Sequence, residues 1–224
     1  MQSIILKEEV LDFRTKEAFK TLRSNIEFTG EEVKVIAITS CTPNEGKSSV
    51  SFNLAKAFAE NGRQVLLIDA DLRKSVMRNH YKKGKVRLGL VHYLIGRNSF
   101  DDVCCETDVN NMFLIFAGPV PPNPSELLGN KRFARLIKEA REEFDYIIVD
   151  TPPLGSVIDG AVVAKKCDGV SLVIESGIIS YRFAQKVKEQ LEKAECRILG
   201  CILNKVSTSS EGYYGKYYGN YYGK

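Results

Sequence analysis

The chain has 224 residues, of which 44% are hydrophobic, and it carries a formal net charge of +4 at pH 7. This size suits one globular domain with at most a small appendage, and so mild a charge does not by itself demand a nucleic-acid partner. The sequence contains no run of about 18 apolar residues, so no membrane-spanning helix is predicted. The first ten residues, MQSIILKEEV, lack the basic and apolar regions of a signal peptide. We therefore expect a cytoplasmic protein.

A helix is predicted over residues 14–28, before the first strand. Its apolar stripe consists of Phe19, Leu22 and Ile26. A second face carries charges in steps of three, at Glu17, Lys20 and Arg23. Spacing alone leaves two interpretations open for these charges. They form local surface ion pairs worth a few tenths of a kcal/mol, or they build a charged ridge that contacts another subunit.

Six short apolar runs rich in Val and Ile follow, at 33–39, 64–69, 112–118, 145–150, 169–175 and 197–204. Their hydrophobicity is continuous rather than alternating, which is typical of strands covered on both faces in a parallel sheet. Helical patterns occupy 47–61, 131–144 and 180–194. The alternation of strand and helix predicts an α/β fold, a doubly wound and mostly parallel sheet flanked by helices.

The segment TSCTPNEGKSS joins the first of these strands to the helix at 47–61. Gly46-Lys47-Ser48 opens that helix directly after a strand, which is the context of a phosphate-binding loop, although Cys41 replaces the first glycine of the strict pattern. Lys47 is expected to bind the β- and γ-phosphates, and the Ser48 hydroxyl to bind Mg²⁺. The predicted nucleotide contacts are Thr42, Asn44, Glu45, Gly46, Lys47, Ser48, Ser49 and, at the end of the last strand, Asn204.

Carboxylates end two further strands. The run VLLIDADLRKS carries Asp69 and Asp71 two residues apart, which places both on one side of the chain as it leaves the sheet, and Arg73 follows. Asp150 ends DYIIVD, the position of a Walker B carboxylate. Because parallel strands present their carboxyl ends at one edge of a sheet, these groups are expected to converge on a Mg²⁺–nucleotide site. Ser48 and Asp150 are expected metal ligands there, and Asp69 and Asp71 share the work of metal coordination and proton removal.

The nucleotide is expected to be ATP, because LNKV at 203–206 has Val206 where the guanine motif requires aspartate. Two other segments stand out. Residues 73–87 contain seven basic and no acidic side chains, which indicates either a solvated loop or a patch that attracts acidic partners, phosphotyrosine or a membrane surface. Residues 207–224 form a glycine-spaced tail predicted to be flexible, with six tyrosines at Tyr213, Tyr214, Tyr217, Tyr218, Tyr221 and Tyr222.

Together these motifs resemble the cytosolic bacterial tyrosine kinases of capsule and exopolysaccharide synthesis. EAFKTLRSNIEF resembles their N-terminal helix, TPNEGKSS their Walker A motif, LLIDADLRKS their Walker A′ and YIIVDTPP their Walker B. PPNPSELL at 121–128 resembles a further signature, and the tail their tyrosine cluster. The resemblance spans essentially the whole chain, with a kinase domain at 1–206 and the tail at 207–224. Asn44 departs from it, since the family usually has glycine there, but asparagine tolerates a left-handed backbone.

The resemblance implies roles that spacing does not show. Asp69 would deprotonate the incoming tyrosine, Asp71 would help to hold the metal, and Arg73 would assist either at the phosphates or at the subunit interface. It favours the intersubunit interpretation of the charged ridge, in a ring-like homo-oligomer whose tail is phosphorylated in trans. A transmembrane activator protein would bind the kinase through its cytosolic tail and recruit it to the inner face of the membrane, and protein tyrosines would be its substrates.

The rival hypothesis is an ATPase switch of the partitioning or division-site type that binds DNA or membrane. Such proteins carry a lysine five residues before the invariant one, where this chain has Thr42, and they lack a tyrosine tail. The kinase is favoured, and no nucleic-acid partner is expected.

Overall fold

The computed structural model of the chain describes residues 1–206. A nine-stranded sheet lies at its centre, with strand order β4-β1-β5-β6-β3-β7-β2-β8-β9. The strands are β1 (Gln2–Leu6), β2 (Val35–Ser40), β3 (Val65–Asp69), β4 (Tyr81–Gly84), β5 (Cys105–Thr107), β6 (Met112–Ile115), β7 (Tyr146–Asp150), β8 (Gly169–Glu175) and β9 (Ile198–Asn204).

The six strands from β6 to β9 in the sheet order are mutually parallel and coincide with the six predicted runs. The prediction of a doubly wound, mostly parallel sheet is therefore confirmed. Strands β2 and β3 are buried along their whole length, and β7 is buried after Tyr146, which explains their continuous hydrophobicity.

The sequence pattern did not reveal the other three strands. β5 runs antiparallel to β6, β1 lies parallel to β5, and β4 closes this edge antiparallel to β1. These strands are short and only partly buried, so they lack a continuous apolar run. Strand β4 lies inside the basic segment 73–87. This part of the segment is mostly solvent-exposed, as the solvated-loop interpretation has it, but it is a strand paired with β1 and not a loop.

Helices cover both faces of the sheet. They are α1 (Phe13–Glu27), α2 (Lys47–Glu60), α3 (Leu90–Leu94), α4 (Phe100–Val103), α5 (Pro124–Gly129), α6 (Lys131–Glu143), α7 (Asp159–Ala164) and α8 (Tyr181–Lys193). A short 3₁₀ helix spans Met77–His80. Helices α1 and α2 border the core cluster on one face, and α3 to α6 border the cluster on the other. In residues 1–206, no helix combines the length and apolarity needed to cross a bilayer.

The apolar stripes predicted from the sequence are the faces on which helices α1 and α6 pack against the core. Helix α1 begins at the Asp12 cap, whose carboxylate accepts a hydrogen bond from the Thr15 amide, and it buries Ile26. Helix α6 buries Phe133, Leu136, Ile137 and Ala140 in the core cluster that includes β3 and β7. The polar ends of those strands are thereby held at fixed positions along one edge of the sheet.

Candidate nucleotide-binding and catalytic site

Lys47, Ser48, Asp71 and Asp150 meet in space, as the parallel topology requires. The Lys47 Nζ atom lies 3.2 Å from Asp71 Oδ2 and 3.6 Å from Asp150 Oδ2. The Ser48 hydroxyl donates a 2.6 Å hydrogen bond to Asp150 Oδ2. All four side chains are buried. The residues come from α2, from the loop after β3 and from the end of β7, so three separate elements build one cluster.

The opposite charges in this cluster stabilise the charged forms of Lys47 and Asp150. Burial by itself lowers the pKa of Lys47, but the neighbouring Asp150 and Asp71 carboxylates outweigh it and raise the pKa above its ordinary value. Burial raises the pKa of Asp150, and the Lys47 charge opposes that shift. Lys47 is therefore a firmly charged cation with two carboxylate partners, suited to exchange one of them for a phosphate oxygen.

The phosphate loop is braced from within by Glu45, which sequence reasoning placed among the nucleotide contacts. The buried Glu45 carboxylate accepts hydrogen bonds from the Thr42 amide and, at 3.0 Å, from the Thr42 hydroxyl. Its other oxygen accepts from the Glu175 amide at the end of β8, also at 3.0 Å. In this arrangement the Glu45 and Thr42 side chains hold the loop to the sheet, and their contact with nucleotide stays a prediction.

Left-handed backbone shapes the loop at two successive turns. Asn44 has φ +70°, which agrees with the expectation that asparagine can serve there, and Gly46 has φ +88°. A Cβ atom on Gly46 would lie 2.3 Å from Asn204 Nδ2. Asn204 donates a 2.9 Å hydrogen bond to the Glu45 carbonyl, and Lys205 donates one of 2.7 Å to the Asn44 carbonyl. The end of β9 thus supports the loop directly, and a nucleotide contact by Asn204 stays a prediction, as does one by the exposed Ser49.

Asp69 is fully buried beside this cluster, and protein groups occupy both of its oxygens. One oxygen accepts from the Asp71 amide at 3.2 Å, and the other accepts from the Ser75 hydroxyl and, at 3.3 Å, from the Ala117 amide. Burial, followed by the Asp150 charge, raises the pKa of Asp69 to about 7, against the opposing effect of the Ser75 hydrogen bond. An acceptor hydroxyl would have to take the place of the Ser75 hydroxyl to reach this carboxylate.

Several contributors were missed by sequence reasoning. The Ser51 hydroxyl donates to Asp150 Oδ1 at 3.1 Å, and Ser51 lies one turn after Lys47, a helical spacing that could have signalled it. The Arg73 guanidinium binds Asp159, and Ser125 joins that pair. Ser125 lies inside the PPNPSELL segment, but no local pattern pointed to Asp159.

The donor set fits Mg²⁺ and a polyphosphate. One hydroxyl and two carboxylates supply the hard oxygen ligands that Mg²⁺ prefers. The Asn204 side chain occupies the space where a Cβ atom on residue 46 would lie, so the backbone can curl there only because Gly46 has no side chain. The 14-residue helix α2 begins directly after this turn, and the amides of its first turn favour anions. Within residues 1–206, no three His, Cys, Asp or Glu side chains are grouped closely enough to hold a metal by themselves. The remaining ligands of Mg²⁺ would therefore be phosphate oxygens and water.

The charged ridge of α1 divides into two parts. Glu17 and Lys20 form an exposed ion pair of 2.7 Å, as the surface-pair interpretation has it. The Arg23 side chain is mostly buried and donates a 3.2 Å hydrogen bond to the Ala57 carbonyl on α2. The interface formed by Glu17, Lys20 and Arg23 stays a prediction, and the six tail tyrosines lie outside the described residues.

Comparisons with known proteins agree with this geometry. A family model described as AAA domain matches residues 33–196. The tyrosine-protein kinase CpsD of Streptococcus agalactiae serotype Ia is 46% identical over 200 residues, which cover 89% of this chain and 86% of that protein.

Solved structures show the same likeness. The kinase domain of the Escherichia coli tyrosine kinase ETK superposes with a TM-score of 0.82 at 32% identity, covering 92% of this chain and 85% of that one. The septum site-determining protein MinD of Pyrococcus horikoshii, solved with Mg-ADP, gives a TM-score of 0.66 at 27% identity, covering 79% and 72%. The rival class of ATPase switches thus shares the fold, but the ETK kinase domain is more similar to this chain both in TM-score and in sequence identity.

Proposed function

The chain belongs to the bacterial tyrosine-protein kinases, and we propose that it is an ATP-dependent autokinase whose own tail is its substrate in trans. The observation that carries the catalytic part is the Lys47–Asp71–Asp150–Ser48 cluster, with its 3.2 Å and 3.6 Å ion pairs. It joins a phosphate-binding cation to hard oxygen ligands at the N-terminus of α2. Such a cluster suits the transfer of a phosphoryl group from a nucleotide.

MgATP, when bound, supplies the γ-phosphoryl group, with Mg²⁺ offsetting charge on the phosphates. Lys47 binds the β- and γ-phosphate oxygens in place of one of its carboxylate partners, and Ser48, Asp71 and Asp150 hold the metal. Burial strengthens each of these interactions, because the site excludes water. The exposed loop residues Asn44 and Ser49 complete the contact with the nucleotide.

Asp69 takes the proton of the acceptor tyrosine. Its support is positional: Asp69 ends β3 next to β7 and is paired in register with Asp150, one of the proposed metal ligands. The Ser75 hydroxyl already donates to the Asp69 carboxylate, and an incoming tyrosine hydroxyl makes the same kind of hydrogen bond when it displaces Ser75. The carboxylate thus has a ready geometry for an acceptor O–H.

The acceptors are the six tail tyrosines, Tyr213, Tyr214, Tyr217, Tyr218, Tyr221 and Tyr222. Strand β9 runs parallel to β8 and ends at Asn204, which contacts the phosphate loop, so the last described residues before the tail lie near the site. Eighteen residues of a flexible chain would have a root-mean-square span of roughly 21–25 Å, from about 5–6 Å times √n. This reach allows transfer within one chain or to a neighbour, and the kinship with the family favours the neighbour.

The assembly and its setting complete the proposal. Chains associate as a ring-like homo-oligomer through the α1 ridge, and a transmembrane activator's cytosolic tail recruits the kinase to the inner membrane face, where it regulates capsule or exopolysaccharide synthesis. Each tail phosphate adds about −1.5 to −2 charges, so six add roughly −9 to −12. That charge repels the other modified tails and loosens the ring.

A mixing experiment tests the proposal. A Lys47→Met chain with an intact, tagged tail is combined with an active chain whose six tail tyrosines are replaced by phenylalanine, and ATP and Mg²⁺ are added. Phosphotyrosine is expected on the tagged chain, because Lys47→Met removes the phosphate-binding charge without removing the acceptors. Lys47→Met alone is the control and should stay unmodified. An unmodified tagged chain in the mixture rules out transfer in trans, and an assembly unchanged after modification rules out charge-driven loosening.

A further inference from the structure

Asp159 is a fully buried carboxylate at the start of α7 that the proposed chemistry does not use. Its Oδ2 atom accepts a 2.8 Å hydrogen bond from Arg73 Nε, and its Oδ1 atom accepts one of 3.2 Å from Arg73 Nη2. The Ser125 hydroxyl donates a third, of 2.5 Å, to Oδ1, and Arg73 Nη2 also lies 3.1 Å from Ser125 Oγ. Both oxygens of the carboxylate are thus committed to one guanidinium edge and one hydroxyl.

These contacts tie together three segments that are distant in sequence. Arg73 lies in the loop after β3 that also carries Asp71, Ser125 lies in α5, and Asp159 follows the loop that leaves β7. A buried carboxylate without partners would be strongly unfavourable, so its fully paired state demands that Arg73 occupy this place. The PPNPSELL segment, which otherwise has no place in the chemistry, supplies the serine.

The loop backbone is fixed at the same point. Asp71 Oδ1 accepts hydrogen bonds from the Arg73 amide at 3.3 Å and from the Lys74 amide at 2.9 Å. Arg73 is therefore held at both its backbone and its guanidinium. Its side chain is nevertheless 41% exposed, and its Nη1 atom makes no hydrogen bond within residues 1–206. One edge of the guanidinium is anchored, and the other remains available to an anion.

We infer that Asp159 and Ser125 are positioning residues which fix Arg73 so that its free guanidinium edge binds the phosphoryl group during transfer. The inference rests on the proposed function, since it assigns to the same site one more cationic contact. A guanidinium that is anchored through two of its nitrogens loses little conformational freedom when it binds an anion. A lysine ammonium cannot bind Asp159 with one edge and an anion with another, because it is a single point charge. Asp159 acts through Arg73 and touches no substrate.

The anchoring itself is tested without any activity measurement. In the full-length protein, the Arg73 Nε–Hε proton should exchange slowly with water and give a resolved ¹⁵N–¹H NMR signal, assigned by its loss in Arg73→Lys. Asp159→Asn should abolish this signal. Asp168→Asn is the matched control, because it breaks another arginine–carboxylate pair, the 2.5 Å contact with Arg141, away from the site. The control should leave the Arg73 signal in place.

The catalytic consequence is tested by a double-mutant cycle in the active chain with the phenylalanine tail, using the tagged Lys47→Met chain as substrate. Arg73→Lys and Asp159→Asn should each lower kcat by about 10- to 100-fold, the effect of losing a hydrogen bond to a charged group, with KM for ATP little changed. The double variant should be no worse than Arg73→Lys. Ser125→Ala, which removes one hydroxyl and keeps the ion pair, should fall between wild type and Asp159→Asn.

The outcomes separate the two levels of the proposal. A signal that survives Asp159→Asn, additive losses in the double variant, or an equal kcat loss in Asp168→Asn each overturns the inference. If Asp159→Asn fails to fold, Ser125→Ala decides: unchanged kcat and unchanged Arg73 exchange refute the positioning role. If the parent chain forms no phosphotyrosine while the NMR signal behaves as expected, the proposed function fails. The anchor then exists without a catalytic role, which also overturns the inference.

Discussion

Gly46→Ala should destabilise the chain by more than its backbone strain alone, because the new methyl group meets Asn204. Gly46 has φ +88°, and its Cβ would lie 2.3 Å from Asn204 Nδ2. A non-glycine residue in this left-handed region costs roughly 1–2 kcal/mol. Displacing Asn204 also breaks its 2.9 Å hydrogen bond to the Glu45 carbonyl, which contributes about 0.5–1.5 kcal/mol. The expected loss in unfolding free energy is therefore about 1.5–3.5 kcal/mol.

The same helix offers a matched control at its other end. Gly62 has φ +81°, and an added Cβ there meets nothing within 4 Å. Gly62→Ala should therefore show the strain of about 1–2 kcal/mol without the contact. Urea unfolding measures both variants, and ATP-induced stabilisation measures nucleotide affinity, which should fall in Gly46→Ala and stay unchanged in Gly62→Ala.

A third substitution makes the reasoning refutable. Asn204→Ala should cost about 0.5–1.5 kcal/mol in the Gly62→Ala background but close to nothing in the Gly46→Ala background, where the hydrogen bond is already lost. Equal stabilities for the two glycine variants, together with an additive effect of Asn204→Ala, would show that β9 does not support the phosphate loop.

Three further predictions concern the strand ends, the assembly and pH. Asp69→Asn should lower kcat more than ATP affinity, whereas Asp150→Asn should raise the Mg²⁺ concentration needed for activity, and equal small effects in Mg²⁺ titrations of kcat would refute this division of roles. Glu17→Ala with Lys20→Ala should leave a folded chain with a smaller mass by light scattering, since the pair is exposed and supports nothing else. Lys188→Ala with Glu192→Ala, which removes a comparable exposed pair on α8, should keep the parent mass. Asp168 accepts from the Lys34 and Val35 amides at 2.9 and 2.8 Å and from Arg141. Burial alone would raise the pKa of Asp168, but Arg141 and those amides lower it on balance below its ordinary 3.8. Asp168→Asn should therefore cost about 1–2 kcal/mol in urea unfolding at neutral pH. This difference in stability should shrink as pH falls through the lowered pKa of Asp168 in the folded chain, because Asp168 in the unfolded chain takes up its proton at a higher pH. A difference that persists at pH 2 would contradict this prediction.

The sequence by itself determined the six-stranded parallel part of the sheet and the chemistry at its edge. Continuous apolar runs indicate strands that are buried on both faces, as in a parallel sheet, and parallel pairing brings the carboxyl ends of those strands to one edge. Lys47, Ser48, Asp71 and Asp150 were therefore predictable as one cluster, because each lies at the carboxyl end of a parallel strand or in the segment that follows one. The left-handed backbone at Asn44 was indicated by the family resemblance, since the family usually has glycine at that position.

Only the tertiary structure decided which partner each polar group takes. Arg73 and Asp159 are 86 residues apart, and Ser125 and Asp159 are 34 apart, so no local pattern links them. Arg23 has the spacing of a surface ridge, yet it donates to the Ala57 carbonyl, because α2 packs beside α1. The sequence of β4 looks like a basic loop, and it forms a strand only because it pairs with β1. Backbone preference and periodicity act within a few residues, whereas ion pairs and edge pairing depend on which elements the packed core brings together.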